Sequence, residues 1–173
     1  MSRRDKTPDS IMDKVNKYSD TIKDVSDNLV AEYCSDLDNV MSGLRELIYS
    51  PHSISNEALE CYILDLANTL YFTGSAQEDL GVKEDTCRSI RQELYNKVRD
   101  NSSGTVADKN ALAELAVQQE TIVVSIYSRA YKKVKLRMES GYEMLNSLKK
   151  IMNKRISEME LSNSRYIGGN RNA

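Results

Sequence analysis

No proline follows Pro51 in this 173-residue chain, so most of the sequence lacks the residue that most strongly interrupts a helix. Glycine is scarce as well, with seven residues, and residues of high helix propensity (Glu, Lys, Leu, Met and Ala) are common. With one Phe and no Trp, a large core built on aromatic side chains is not expected. The sequence therefore predicts an all-α protein, an elongated helical bundle or coiled coil with a long C-terminal amphipathic helix.

The N-terminal part follows a heptad pattern. Residues 1–8 resemble a disordered leader, and Pro8 with Asp9 or Ser10 predicts a helix start. The apolar residues behind it are spaced 4-3-4-3-4 and resume after a slip at Tyr33: Ile11, Val15, Tyr18, Ile22, Val25, Leu29, then Leu37, Val40, Leu44 and Leu47. This heptad seam predicts a coiled-coil-like arm over residues 9–50, paired either within the chain or between chains.

A helical domain is expected over residues 55–162, after a break at Ser50–Ser53. Its first helix should span about 56–72 and stop at Gly74, and Ser75–Glu78 fits a capping box that starts a second helix to about residue 100. After a loop at 100–104, the Thr105–Asp108 cap begins the longest helix, to about Leu161. Residues 163–173 should form a flexible, basic, Gly-rich tail.

The long C-terminal helix carries an apolar stripe at a helical period, with Gly141 as its one plausible bend. Such a stripe is typical of a face that packs against other helices or other subunits. Its main members are Ile122, Ile126, Val134, Met138, Leu145, Leu148, Met152 and Ile156.

No sequence pattern indicates an enzyme. The single His52 lies in a linker, and there is no P-loop, no G-x-G-x-x-G and no G-x-S-x-G. Cys34, Cys61 and Cys87 are widely spaced, which argues against a disulfide framework and a zinc site. We therefore expect no catalytic residues, no metal and no cofactor. With neither a signal peptide nor an apolar run of the ~18 residues that span a bilayer, a cytoplasmic protein that does not enter the membrane is expected.

The charges are unevenly distributed along the chain. Residues 51–86 contain seven acidic residues and Lys83 alone as a base, whereas residues 129–173 contain eleven bases and four acids. This asymmetry predicts an anionic partner for the basic end, or head-to-tail attraction between copies. The candidate nucleic-acid-binding residues lie opposite or beside the apolar stripe: Arg129, Lys132, Lys133, Arg137, Lys149, Lys150, Lys154 and Arg155.

A simpler interpretation stays open, in which the charged face is only solvated. Glu139, Glu143 and Glu158 lie on the same outer face and dilute its positive charge. Tyr127 and Tyr142 point with the apolar stripe, so we expect them in the core and not at a base-stacking surface.

The region from about Thr105 to Ser162 resembles the UvsY-type recombination mediators of bacteriophages. The resemblance lies in Thr105-Val106-Ala107-Asp108-Lys109, Ala130-Tyr131-Lys132-Lys133, Ser147-Leu148-Lys149-Lys150-Ile151 and Arg155-Ile156-Ser157-Glu158. It covers about a third of the chain, and its motifs have low specificity. It implies an all-helical homo-oligomer that binds single-stranded DNA through basic residues and helps to load a recombinase past the single-strand-binding protein.

The sequence thus favours a non-enzymatic, phage-type recombination or replication accessory protein, acting in the cytoplasm of a bacterial host. It is expected to bind single-stranded DNA and a recombinase or single-strand-binding protein as a homo-oligomer. The alternative is a virion or scaffold-type assembly protein that makes only protein–protein contacts. A third possibility is an inhibitor or adaptor of one host protein.

Overall fold

The computed structural model describes residues 8–49 and 54–169, and these residues form four helices and no strand. The helices are α1 (Pro8–Tyr49), α2 (Asn56–Asn101), α3 (Val106–Ala116) and α4 (Gln118–Gly169). The all-α helical bundle that the sequence predicts is confirmed. No helix in the described part of the chain is both long enough and apolar enough to cross a membrane.

The start of α1 agrees with the sequence prediction. Pro8 is its first residue, a position where the fixed φ of proline suits a helix and its missing N–H costs nothing. The helix ends at Tyr49, before Ser50–Ser53, and those four residues lie outside the described part, as do residues 1–7 and 170–173. At the start of α2, the Ser55 hydroxyl accepts a hydrogen bond from the Ala58 N–H at 3.2 Å and so caps that helix.

The prediction that a helix stops at Gly74 is wrong, because α2 runs without interruption from Asn56 to Asn101. Glycine costs a helix only about 1 kcal/mol relative to alanine. Burial of apolar side chains on both sides of Gly74 offsets that cost, since Leu70 and Leu80 are at most 1% exposed. The sequence motif at Ser75–Glu78 therefore lies within a helix and caps nothing.

The cap at the start of α3 is confirmed. Thr105 accepts a hydrogen bond from the Asp108 N–H at 3.3 Å, and the Asp108 carboxylate accepts one from the Thr105 N–H at 3.1 Å. The Thr105 hydroxyl also donates to the Asp108 carboxylate at 2.7 Å, and this bond, together with the one from the Thr105 N–H, lowers the pKa of Asp108. Gly104, with a φ of +118°, turns the chain into the cap in a conformation that other residues rarely adopt.

The prediction of one continuous helix from residue 105 to about 161 is wrong in two respects. Val117, with φ −100° and ψ 17°, separates α3 from α4, and α4 continues to Gly169. Hydrogen bonds persist across the interruption, from the Val117 N–H to the Ala113 carbonyl (3.2 Å) and from the Thr121 N–H to the Val117 carbonyl (3.0 Å). Ala113 and Val117 are both fully buried, so the change of conformation accompanies side-chain burial that sequence periodicity does not show.

The chain divides into two compact units. Unit 1 comprises the described residues up to Tyr33 together with Ser75–Lys135, and all of α3 lies in it. Within unit 1, Arg91 of α2 donates hydrogen bonds to Glu114 of α3 (3.0 Å) and to Thr121 of α4 (2.7 Å). The buried apolar residues of unit 1 are Val30, Leu80, Ala113, Val117, Ala130 and Val134.

Unit 2 comprises Cys34–Gly74 and the part of the chain from Leu136 onward. It contains the second half of α1, the first part of α2 and most of α4. Leucines from all three helices form its centre, with Cys34 and Met138 beside them. The buried apolar residues are Cys34, Leu37, Leu44, Leu59, Leu66, Leu70, Met138, Leu145 and Leu148.

Candidate nucleic-acid interface

The apolar stripe of α4 is buried in its middle and exposed toward its end. Val134, Met138, Leu145 and Leu148 are at most 8% exposed. Ile122, Ile126 and Met152 are half-buried.

Ile156 departs from the packing face on which the sequence places it, because it is 38% exposed. It lies next to Arg155, which contacts the first residues of α2. The helix that covers α4 begins there, so little of it remains to bury Ile156.

Three of the eight candidate DNA-binding residues bond to other parts of the chain. In unit 1, the Lys133 ammonium forms an ion pair with Asp27 and donates to the Ser26 hydroxyl at 3.4 Å. In unit 2, Arg137 forms an ion pair with Asp38. These contacts join α4 to α1. They also partly neutralise the positive charges of Lys133 and Arg137.

Arg155 in unit 2 has a structural role as well. Its guanidinium donates to the Ile54 carbonyl at 2.8 Å and to the Asn56 side-chain oxygen at 3.1 Å. It thereby connects α4 to the start of α2, and its side chain is half-buried. Replacing it would disturb the packing as well as any contact with DNA.

The other candidates are exposed, as Arg137 also is. In unit 1, Arg129 and Lys132 are exposed and three residues apart, so they are neighbours on one side of α4. Lys135 continues this row at the same spacing and is exposed too. Lys135 is not among the predicted candidates, although its position three residues after Lys132 is a sequence signal for the same row.

In unit 2, the exposed candidates are Lys149, Lys150 and Lys154. Lys154 lies 3.8 Å from Glu158 in an i,i+4 pair with both side chains largely exposed, a contact that contributes little to stability. Within the described part of the chain, Lys149 and Lys150 make no ion pair. We call these three residues the lysine cluster.

The lysine cluster lies in a stretch of α4 without negative charge. From Met144 to Ser157 the sequence has four basic residues and no acidic one. Lys150 and Lys154 are four residues apart and share the side of α4 opposite the buried Leu145, while Lys149 flanks them. The glutamates that dilute the basic face therefore lie before and after this stretch.

The expectation that Tyr142 belongs to the core is wrong, because it is 47% exposed. Tyr127 is half-buried. Seven residues make almost two helical turns, so Tyr142 lies on the same side of α4 as Lys149, about 10 Å before it. The structure thus places an exposed aromatic ring in line with the lysine cluster.

The described residues define an all-α helical bundle with an exposed, acid-free lysine cluster on its last helix. Protein-family models, curated proteins and solved structures were all compared with the chain, and none of them gives a significant match. The similarity to UvsY-type mediators therefore stays a prediction.

Proposed function

We propose that the protein is a non-enzymatic accessory factor of phage-type recombination or replication that binds single-stranded DNA as a homo-oligomer. The observation that carries this proposal is the lysine cluster, where Lys149 and Lys150 are exposed within a stretch of α4 that has no acidic residue. Exposed lysine and arginine side chains bind single-stranded DNA through its phosphates, without sequence preference.

Tyr142 supports single-stranded over duplex DNA. Aromatic side chains stack on unpaired bases, and each such contact contributes about 1–3 kcal/mol. An exposed ring two turns before Lys149 fits a strand that runs along α4, with phosphates at the lysines and one base on the ring. Duplex DNA offers no unpaired base to this tyrosine.

The proposed mechanism needs no bond-making step. Each copy holds the strand through a few weak contacts, and a homo-oligomer combines them into tight binding because the later contacts form at high effective concentration. A recombinase or a single-strand-binding protein is the proposed protein partner, in the cytoplasm of a bacterial host. The protein would present the bound strand to that partner.

The test is the affinity of fluorescein-labelled (dT)30, measured by fluorescence anisotropy at two or more salt concentrations. We expect wild-type binding to weaken steeply with salt, and K149E/K150E to weaken it at low salt on the order of 10-fold or more. Losing two phosphate contacts should also reduce the slope of log K against log salt by about 1.4. Y142A should weaken binding without changing this slope.

The matched control is K17E/K97E, which makes the same change of charge at two exposed lysines outside α4. Its affinity should stay close to that of the wild type. A wild-type protein that does not bind (dT)30 even at 20 mM salt would contradict the proposal. Equal losses in K149E/K150E and K17E/K97E would show that only net charge matters.

A second candidate function is a virion or scaffold-type assembly protein, and one observation favours it. In unit 2, Leu64, Tyr71 and Phe72 on α2 are 66%, 75% and 62% exposed, and the two rings pack edge-to-face at 5.4 Å. Exposed apolar groups of this kind mark protein-interaction surfaces. The assembly function is supported if the protein forms large assemblies and (dT)30 does not bind.

A further inference from the structure

The first half of the α1 heptad seam is incompletely covered by its own chain. Val15, Tyr18 and Val25 are 50%, 52% and 40% exposed, whereas Leu37 and Leu44 further along α1 are each 1% exposed. In a coiled coil, residues at this spacing insert between the side chains of a partner helix. Among the described residues of unit 1, no helix covers the seam fully at residues 15–25.

A cleft of about 960 Å³ adjoins this part of the seam within unit 1. Tyr18 and Ile22 form its α1 wall, and Leu115 of α3 and Ile122 of α4 belong to the opposite wall. Leu115 is 62% exposed and Ile122 is half-buried, so both walls offer apolar surface. The cleft is also lined by the polar residues Glu114, Gln118, Gln119, Thr121 and Ser125. An open groove that offers apolar and polar side chains fits the apolar edge and polar flank of an amphipathic helix.

The charges beside the seam favour a second copy of this chain as the occupant. In the heptad, the flanking e and g positions are Met12, Lys14, Ser19, Thr21, Ser26 and Asn28, with Lys14 as their only charge. Ser26 is fully buried beside Lys133 of α4, and the other five are exposed. Of the three aspartates at the f position, Asp13 and Asp20 are exposed, and Asp27 forms an ion pair with Lys133 of α4. Charged flanks would repel each other when two identical chains pair. Because these flanks are nearly uncharged, two identical seams can meet without that repulsion.

The surface is also self-complementary. Tyr18 and Ile22 belong to the seam and also line the cleft. The seam of one copy can therefore enter the cleft of a second copy, while the seam of the second copy enters the cleft of the first. Residues 15–25 span only about one and a half heptads, and isolated helices shorter than about 12–15 residues are marginal. The α3 and α4 wall supplies the additional apolar contact that so short a coiled coil needs.

We propose that α1 residues 15–25 and the adjoining cleft form a self-association interface, in which the seam of one copy packs against the seam and cleft of a second. This inference rests on the homo-oligomer of the proposed function, and it identifies the surface through which the copies associate. It does not depend on DNA binding.

The first test is molar mass by light scattering on a sizing column, with protein at about 10 and 100 µM. We expect the wild type to exceed the monomer mass of 19.6 kDa. In Y18E/V25E the mass should fall to half or less of the wild-type value, because two charges would be buried at the interface. The control N16E/A31E adds the same charge at exposed α1 positions away from the seam and should keep the wild-type mass.

The second test stays informative if Y18E/V25E loses helical content by circular dichroism. Tyr18→Cys is introduced in a background with Cys61→Ser and Cys87→Ser and treated with a short bis-maleimide. A covalent dimer at Tyr18→Cys, absent at Asn16→Cys, supports the interface. A wild type that is monomeric at 100 µM, a Y18E/V25E variant that keeps the wild-type mass, or equal cross-linking at both positions would overturn it.

Failure of this inference and failure of DNA binding give different results. Mass and cross-linking are measured without DNA, and K149E/K150E should keep the wild-type mass. If only the interface is wrong, Y18E/V25E keeps the wild-type mass while (dT)30 still binds through the lysine cluster. If only the DNA contact is wrong, Y18E/V25E still dissociates although (dT)30 does not bind.

Discussion

Gly141 marks a close approach of α2 and α4 in unit 2. A Cβ atom at this position would lie 2.8 Å from the Leu70 Cδ2 atom and 3.5 Å from the Leu37 Cδ1 atom. Both leucines are buried, so neither side chain can move aside freely. The helix α4 is continuous at Gly141, where the sequence suggests a bend, and the close packing requires a residue without a side chain.

We therefore expect G141A to destabilise the protein by about 1 kcal/mol, because an overpacking cost of about 1–3 kcal/mol exceeds the helix-propensity gain of about 1 kcal/mol. G43A is the matched control, since no atom lies within 4 Å of a Cβ there. It should stabilise the protein by about 0.5–1 kcal/mol. Urea unfolding followed by circular dichroism measures both, and equal effects would contradict the packing argument.

Cys34 illustrates how burial controls reactivity. It is fully buried, and this burial raises the pKa of its thiol, although the nearby Arg137 acts in the opposite direction. Cys61 is exposed, and Cys87 is intermediate. Because the thiolate is the reactive form, both accessibility and pKa protect Cys34.

In native protein at pH 8, we expect iodoacetamide to alkylate Cys61 first and Cys34 last, on the timescale of local opening of the fold. Peptide mass spectrometry resolves the three sites. In denaturant all three should react at similar rates, which is the control. Native labelling of Cys34 as fast as Cys61 would show that the unit 2 core is not packed as described.

At the scale of elements, the main result is the continuity of α2 across Gly74. The local signals, a glycine followed by Ser75–Glu78, are those of a helix end and a new cap. Burial of the α2 side chains before and after Gly74 outweighs them, because each large apolar side chain contributes more than the glycine costs.

Hydrogen exchange measured by NMR tests this continuity. In an unbroken α2, the amides of residues 75–79 donate to carbonyls four residues earlier and should exchange at least ~100-fold more slowly than in an unstructured peptide. The amides of Ser102–Gly104, between α2 and α3, provide the comparison and should exchange fast. Rapid exchange at residues 75–79 would indicate two helices instead of one.

At the scale of the whole molecule, the two proposals assign different surfaces to different partners. The α1 seam in unit 1 is the proposed contact with a second copy, and the lysine cluster in unit 2 is the proposed contact with DNA. Multivalent strand binding requires both a contact between copies and a contact with the strand, and the two proposals assign these contacts to different residues. This separation also allows each surface to be removed by mutation while the other is retained.

The sequence alone determined the helical class, the start of α1 and the Thr105 cap. These follow from local chemistry: proline and glycine content, apolar periodicity and capping side chains act within a few residues of each other. Which basic side chains bond to other helices was decided by the tertiary structure, because the partners of Lys133, Arg137 and Arg155 are about a hundred positions away. Helix periodicity places a side chain on a face, but only packing determines what that face meets.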